Sequence, residues 1–380
     1  MRLGRFGKMM LGNLFEKIFH NEPVFVTGHT GFIGSWLSLW LHSLGAKVVG
    51  YSLEPPTDQT FFQTVELDKH ISHIIGDIND QKQLVNSLMS HKPKFVFHLA
   101  AQPLVRFSYE RPVETFQTNV MGTVNVLEAI RNTSSVKVGI IMTSDKCYEN
   151  RELDYAYKET DPMGGYDPYS ASKGAAELIT SSYRNSFFNP KDFEKHKVSI
   201  ATVRAGNVIG GGDWAKDRIT PDCIHSLISK IPIQVHHPNS IRPWQYVLEP
   251  ISGILCLATR MWQSPLEYVG SWNFGPLISK NRTSVKDLVI QIIKEWGCGN
   301  WNDISNQINL SHEANSLMLD STKAMNLLGW HPVYSINESI AETIRWYRSN
   351  VDKTSDMKDL SLAQIQKYVI KAREMNIAWA

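Results

Sequence analysis

Long apolar runs, cysteine and unbalanced charge are all scarce in this 380-residue sequence. No stretch approaches the roughly 18 consecutive apolar residues that a helix needs to cross a membrane, so no membrane span is expected. The four cysteines, Cys147, Cys223, Cys256 and Cys298, show no Cys-x-x-Cys spacing. That excludes a disulfide framework and the usual zinc site, and it suits a reducing cytoplasm. A formal net charge of +2 leaves no basic stripe to neutralise nucleic-acid phosphates, so no nucleic-acid partner is expected. The 13 histidines form no metal constellation, and no metal is expected. Adjacent His236 and His237 would face opposite sides of a strand, and read as structural or solvent-facing. At 42% hydrophobic and 20% charged, the chain is an ordinary soluble globular one of one or two domains.

What is present begins with Thr27-Gly28-His29-Thr30-Gly31-Phe32-Ile33-Gly34. It follows a β-branched and aromatic strand, Val24 to Thr27, and opens an apolar helix, Ile33 to Leu44, so its glycines fall on a strand-to-helix turn. There Gly28 permits a tight turn, Gly31 lets backbone approach a pyrophosphate, and Gly34 lets helix pack on strand. The anion then rests on the helix N-terminus. The spacing is Gly-x-x-Gly-x-x-Gly, which only this context makes specific.

Strand-like and helix-like segments alternate beyond it. Strands are expected at Lys47–Tyr51, His73–Ile75, Phe95–Leu99, Val138–Met142 and Val198–Arg204, with helices at Gln81–Ser90, Val113–Asn132 and Tyr169–Phe188. This pattern specifies an α/β fold, a Rossmann-type doubly wound parallel sheet with a smaller C-terminal α/β substrate-binding lobe. The expected division is a leader at 1–20, a dinucleotide domain at 21–205 rejoined near 240–275 by a strand around Tyr246–Leu248, a substrate lobe in most of 206–345, and a helical tail at 346–380. The leader, Met1 to His20, lacks a secretory signal's apolar core and cleavage site. It reads as a segment packed or frayed before the first strand, with a surface-lying amphipathic helix as the alternative.

Ligands of such sheets bind beyond the carboxyl ends of the strands. Asp77 and Ile78 are placed to hold and pack adenine, and Ala100, Ala101 and Gln102 to let a ribose lie against backbone. The second strand ends in Tyr51-Ser52-Leu53 without the acidic residue that grips the adenosine ribose, and no arginine is present for a 2′-phosphate. NAD is therefore favoured over NADP. Tyr169 and Lys173, four apart on a helix, share one face. The ammonium is expected to draw the phenol's pKa down from about 10, so that it acts as a base, and to hold the nicotinamide ribose. Thr143-Ser144-Asp145 ends a nearby strand.

With those residues in place the chain resembles the extended short-chain dehydrogenase/reductases of the nucleotide-sugar epimerase/dehydratase branch, from about Pro23 to Pro332. The resemblance is carried by the glycine turn, Asn119-Val120-Met121-Gly122-Thr123, the Tyr/Lys pair, Asp320-Ser321-Thr322-Lys323-Ala324 and Leu328-Gly329-Trp330-His331-Pro332. Longer strings are more specific: Tyr51 to Thr57, Ser144-Asp145-Lys146-Cys147-Tyr148-Glu149-Asn150, Arg204 to Trp214, and Ile241-Arg242-Pro243-Trp244-Gln245. They resemble the 4,6-dehydratases, with NAD as cofactor and the nucleotide sugar CDP-D-glucose as the implied partner.

The resemblance implies oxidation at C4 with Tyr169 as base and Ser144 relaying or orienting the hydroxyl, elimination of water across C5 and C6, and return of the hydride to C6. The related dTDP-glucose enzymes resemble Thr-Asp-Glu where this chain has Ser144-Asp145-Lys146. Asp145 is then the acid and Lys146 the C5 base, or Lys146 stays charged and stabilises the enolate. Asn207, Arg218 and Arg242 resemble diphosphate contacts. Trp214, Trp244 and Tyr246 either stack on the base, line the sugar pocket or pack in the core. The family also implies a homodimer and a role in deoxysugar synthesis for bacterial surface polysaccharide such as O-antigen. A nucleotide-sugar 4-epimerase and a cofactor-sensing binding protein are the alternative readings.

Overall fold

The computed structural model describes residues 14–55, 57–278, 282–306 and 317–380. Six strands build most of the central sheet: β1 (Pro23–Thr27), β2 (Lys47–Ser52), β3 (Ser72–Ile75), β4 (Phe95–His98), β5 (Val138–Met142) and β6 (Ser199–Arg204). Successive residues of one strand serve different cores. Val24 and Val26, Phe95 and Phe97, and Val138 and Ile140 join one apolar cluster, while Phe25, Val96 and Ile141 join the other. Both faces are thus covered, which is why these strands read as continuous apolar runs.

Helices α1 (Phe32–Ser43), α2 (Gln81–His91), α3 (Val105–Glu110), α4 (Gly122–Arg131) and α5 (Pro168–Ser186) lie between the strands. The helix expected over Val113–Asn132 is interrupted. Pro112–Phe116 leads into a wide turn at Gln117–Met121 before α4 begins. That turn carries the buried Asn119, whose amide donates to the Gln102 carbonyl at 3.0 Å and to the Ser172 hydroxyl at 2.9 Å.

Beyond β6 come β7 (Val208–Ile209), α6 (Ile219–Ile228), β8 (Ile233–Val235), β9 (Gln245–Tyr246), α7 (Leu248–Gln263) and β10 (Gly270–Asn273). The rejoining strand expected around Tyr246–Leu248 lies elsewhere. β9 pairs with β7 outside the main sheet, Leu248 already opens α7, and β10 pairs with β6. The seven strands run in the order β10-β6-β5-β4-β1-β2-β3, every neighbour parallel. The direction of strand progression reverses between β1 and β4, which places a ligand crevice at their carboxyl ends.

The C-terminal part adds α8 (Val285–Trp296), β11 (Trp301–Asp303), which pairs with β8, then α9 (Thr322–Leu328), α10 (Ile336–Asp352) and α11 (Met357–Glu374). α8 and α10 each open with a serine capping box, Ser284 with Asp287 and Ser335 with Glu338. Of the leader, residues 1–13 lie outside the described residues; the rest packs on the body. Phe15 stacks on Trp379 at 5.2 Å and meets Trp40 edge-on at 5.8 Å, while Phe19 sits 5.0 Å from Phe95. The two ends of the described chain are thus joined through aromatic rings over one face of the sheet.

Removing one ring of this cluster leaves a cavity that flanking rings cannot fill. Trp379→Ala is expected to cost about 3–5 kcal/mol in urea unfolding, whereas Val351→Ala, at an exposed position, is expected to stay within about 0.5 kcal/mol of wild type.

Candidate active site

The glycine turn is built as a cradle. Gly28 has φ +76°, and a Cβ there would lie 2.6 Å from the Ala100 backbone nitrogen; one on Gly34 would lie 2.1 Å from the Gly28 carbonyl oxygen. No side chain caps the N-terminus of α1, whose N-cap is Gly31. Its amides are therefore available to an anion. Thr30 ties the turn to the end of β2, bonding the Ser52 hydroxyl at 2.8 Å and donating to the Leu53 carbonyl at 3.1 Å. Phe32 and Ile33 line the adjoining cavity. These features fit a dinucleotide.

The other residues expected at the cofactor are placed less uniformly. The His29 ring is buried beneath the turn and bonds His73 at 2.6 Å, so its backbone is the part that shapes the cradle. Burial, with His73 beside it, pushes its pKa down to about 3. Asp77 accepts from the Asn79 amide at 2.9 Å, closing a local turn. Ile78 is buried against Gly122, with its carbonyl accepting from Asn125. Gln102 is held by Asn119, Thr115 and the Leu104 backbone, which makes it a brace for its loop. Ala101 lines the cavity, and Ala100 is the backbone neighbour that requires glycine at position 28.

Asp167 caps α5, accepting from the Ser170 amide at 2.9 Å and hydroxyl at 2.6 Å, and Pro168 takes the first helical position. Tyr169 is thereby fixed in the first turn, with its amide donating to Ser108 at 3.1 Å. Lys173 follows one turn later, its Nζ 6.0 Å from the Tyr169 ring centroid. Ser144 and Asp145 come from the segment after β5, and the Tyr169 hydroxyl is hydrogen-bonded with Ser144.

Burial decides the protonation of this group. It pushes the Tyr169 phenol up to about 12, against the Ser144 hydrogen bond and the Arg218 charge. The same desolvation lowers Lys173 to about 8, against Cys147 and Glu177. The phenol is thus not drawn below its usual value, as Lys173 was expected to do; burial is the largest cause, and Asp145 adds to it. Asp145 is also raised by burial, which outweighs the Lys146 charge, the Ser144 hydrogen bond and Arg242. Its carboxyl accepts from the Ser144 hydroxyl at 3.0 Å and the Asn207 amide at 3.3 Å.

Ser144, Asp145, Lys146, Tyr169, Lys173, Asn207, Arg218 and Arg242 all line one cavity of about 410 Å³. Arg218 pairs with Asp213 at 2.9 Å. Arg242 is buried, and its guanidinium donates to the Ile241 carbonyl at 2.9 Å. Trp244 lines the same cavity, whereas Trp214 packs edge-on to Tyr347 and Tyr246 is fully buried beside Tyr334.

Residues not singled out in the sequence complete the wall. Arg106 and Asp217 form an ion pair at 2.6 Å, and Asp222 is pushed up to about 6 by burial, then by Asp217. His236 and His237, read from the sequence as structural or solvent-facing, also line the cavity, because the chain leaves strand geometry after Val235. No local motif marks these positions.

A sheet of this order with a glycine cradle and a Ser/Tyr/Lys group at its carboxyl edge defines a nucleotide-sugar enzyme of the extended short-chain dehydrogenase/reductase class. The chain belongs to the GDP-mannose 4,6 dehydratase family, which residues 25–343 match. It is 47% identical to the CDP-glucose 4,6-dehydratase of Salmonella typhimurium over 93% of this chain and 98% of that protein. It is 25% identical to a dTDP-glucose 4,6-dehydratase of Xanthomonas campestris, over 86% of this chain and 93% of the other. Among solved structures, dTDP-glucose 4,6-dehydratase from Bacillus anthracis in complex with NAD superposes with a TM-score of 0.71 at 20% identity, covering 87% of this chain and 98% of that one. UDP-glucose 4-epimerase of Thermotoga maritima gives 0.72 at 20% identity over 87% and 99%.

Gly34→Ala forces the cradle open, so NAD affinity measured by calorimetry is expected to fall at least ~10-fold. Lys173 is charged below about 8 and neutral above it. Activity that needs its ammonium is therefore expected to decline as pH rises through about 8, a limb that is absent from the residual activity of Lys173→Met.

Proposed function

We propose that the chain removes water from CDP-D-glucose to give CDP-4-dehydro-6-deoxy-D-glucose, with NAD as its resident cofactor. What carries this reading is the convergence of Ser144, Asp145 and Lys146 with Tyr169 in one cavity, in a chain 47% identical over 93% of its length to a CDP-glucose 4,6-dehydratase.

The phenolate of Tyr169 takes the proton of the 4-hydroxyl, which Ser144 orients through their shared hydrogen bond. When bound, NAD supplies a positively charged nicotinamide that favours the phenolate and a sink for the hydride that leaves C4 and returns to C6. The ketone at C4 acidifies the hydrogen on C5. Lys146, in its neutral amine form, takes that proton, Asp145 gives its own to the C6 oxygen as the carbon–oxygen bond breaks, and water leaves with a C5–C6 double bond in its place. After hydride reaches C6, Lys146 returns its proton to C5, and the proton left on Tyr169 is released to solvent as Asp145 takes one up, so only water is lost. Asp145 can donate because burial keeps it protonated above the usual carboxylate range. Elimination therefore weakens as pH rises through the raised Asp145 value. Arg242 and Arg218 face the diphosphate, and Asn207 stands beside them.

An epimerase would use the same tyrosine yet has no need of an acid at C6. The buried Asp145, its carboxyl raised above the usual range by burial, favours dehydration. The protein is further read as cytoplasmic and homodimeric, meeting its copy through the helix Pro112–Phe116, the wide turn, α4 and α5, where Val113, Phe116, Met121 and Leu178 are exposed apolar side chains. Its product is read as feeding deoxysugar synthesis for bacterial surface polysaccharide.

Incubation with CDP-, dTDP-, GDP- and UDP-linked hexoses plus NAD is expected to yield a 4-keto-6-deoxy sugar from CDP-D-glucose. An inverted hexose in its place contradicts the reading. Lys146→Met is expected to lose deuterium wash-in at C5; normal exchange in that variant would move the base role to another group and leave Lys146 as enolate stabiliser.

A further inference from the structure

We infer that Gly206, Asn207 and Gln245 form a positioning element for Asp145, fixing the acid of the elimination step from a second strand. The inference rests on the assignment of Asp145 as that acid, and it concerns residues that do not themselves exchange protons.

The chain leaves β6 at Arg204 and passes directly under the Asp145 carboxyl. A Cβ on Gly206 would lie 1.9 Å from one carboxyl oxygen and 2.0 Å from the carboxyl carbon. Only a residue without a side chain lets the backbone pass so close. This contact removes water from one side of the carboxyl, and desolvation is the largest cause of its raised pKa. Asp145 is tethered to the same segment by its own amide, which donates to the Ala205 carbonyl at 3.3 Å.

Asn207 adopts the left-handed conformation, with φ 48°, and its side-chain amide donates to Asp145 Oδ2 at 3.3 Å, while the Ser144 hydroxyl donates to Oδ1 at 3.0 Å. Each carboxyl oxygen is therefore addressed by a different donor, which sets the rotation of the group. Asparagine tolerates this backbone region better than most side chains because its short amide bonds locally.

What holds the segment is Gln245 on β9. Its buried side-chain Nε2 donates to the Gly206 carbonyl at 3.1 Å and the Phe274 carbonyl at 2.9 Å, and its backbone amide donates to the Asn207 carbonyl at 3.2 Å. One glutamine thus links the strand under Asp145 to the segment leaving β10. Replacing its amide by a methyl group leaves two buried carbonyls without that donor and frees Gly206 to move. Among the described residues these hydrogen bonds of Gln245 reach neither the cofactor cradle nor Tyr169, so its loss is expected to act on elimination and not on oxidation at C4.

Acid-quenched single turnovers separate the two steps, because the oxidised sugar that still carries its 6-hydroxyl differs by one oxygen atom from the 6-deoxy product. Gln245→Leu and Gly206→Ala are each expected to raise the ratio of 4-keto-6-hydroxy to 4-keto-6-deoxy sugar ~10-fold or more, with oxidation at C4 and substrate affinity within ~2-fold of wild type. Asp145→Asn is expected to show the same stall more strongly, and adding Gln245→Leu to it to change nothing further. If Asp145→Asn does not stall, the acid assignment fails. If it stalls while both other variants turn over normally, or if oxidation and elimination fall together in them, the positioning role is overturned. Thermal unfolding monitors the fold, and Gly206→Ala decides the matter should Gln245→Leu fail to fold.

Discussion

Desolvation of proton-carrying groups is the constraint on which this site depends. Ser144, Asp145, Tyr169 and Lys173 are all buried at the carboxyl edge of the sheet, where the turn after β5 meets the first turns of α5. Burial penalises whichever form is charged, so it moves the phenol and the carboxyl up and the ammonium down. The phenol and the carboxyl are thereby biased toward their neutral forms before ligands arrive, while the ammonium, lowered only to about 8, stays charged at neutral pH. A carboxyl biased toward its acid form can deliver a proton where a substrate's developing charge demands it, and the phenol becomes a base once its phenolate is favoured. The charges that tip the balance belong to the diphosphate and the nicotinamide, and the protein's part is geometry.

That geometry is held from below by one buried ion pair. Arg204 at the end of β6 meets Glu177 on α5 at 2.8 Å, both nearly inaccessible to solvent. Such a pair is costly to desolvate unless its remaining bonds are made. Here Glu177 also accepts from Thr143 at 2.5 Å and Thr202 at 2.8 Å, and Arg204 donates to the Tyr148 hydroxyl at 2.7 Å, which in turn donates to Asn273 at 2.7 Å. Thr143 precedes Ser144, and Glu177 lies one turn beyond Lys173. The network therefore joins β5, β6, β10 and α5 beneath the reacting groups.

Much of this was legible in the sequence, for reasons that individual residues make plain. Strands buried on both faces are continuous apolar runs, and a glycine turn between strand and helix has few uses; those features located the sheet and the cradle. Tyr169 and Lys173 were found because helical spacing places them on one face. Other features are set by contacts distant in sequence, so local pattern could not reveal them. The wide turn at Gln117–Met121 exists around Asn119, whose partners are Gln102 and Ser172. The short strand at Gln245–Tyr246 pairs with Val208–Ile209 and leaves the sheet to β10. The direction of the Tyr169 pKa was misread because a lysine neighbour is visible in sequence and desolvation is not.

Ultraviolet titration of the protein stripped of nucleotide, taken as the difference between wild type and Tyr169→Phe, tests the claim that burial holds the Tyr169 phenol neutral. The account predicts that the Tyr169 phenolate band stays absent at neutral pH and develops only toward about 12. A Tyr169-dependent phenolate band already present at neutral pH, with no cofactor bound, would contradict it.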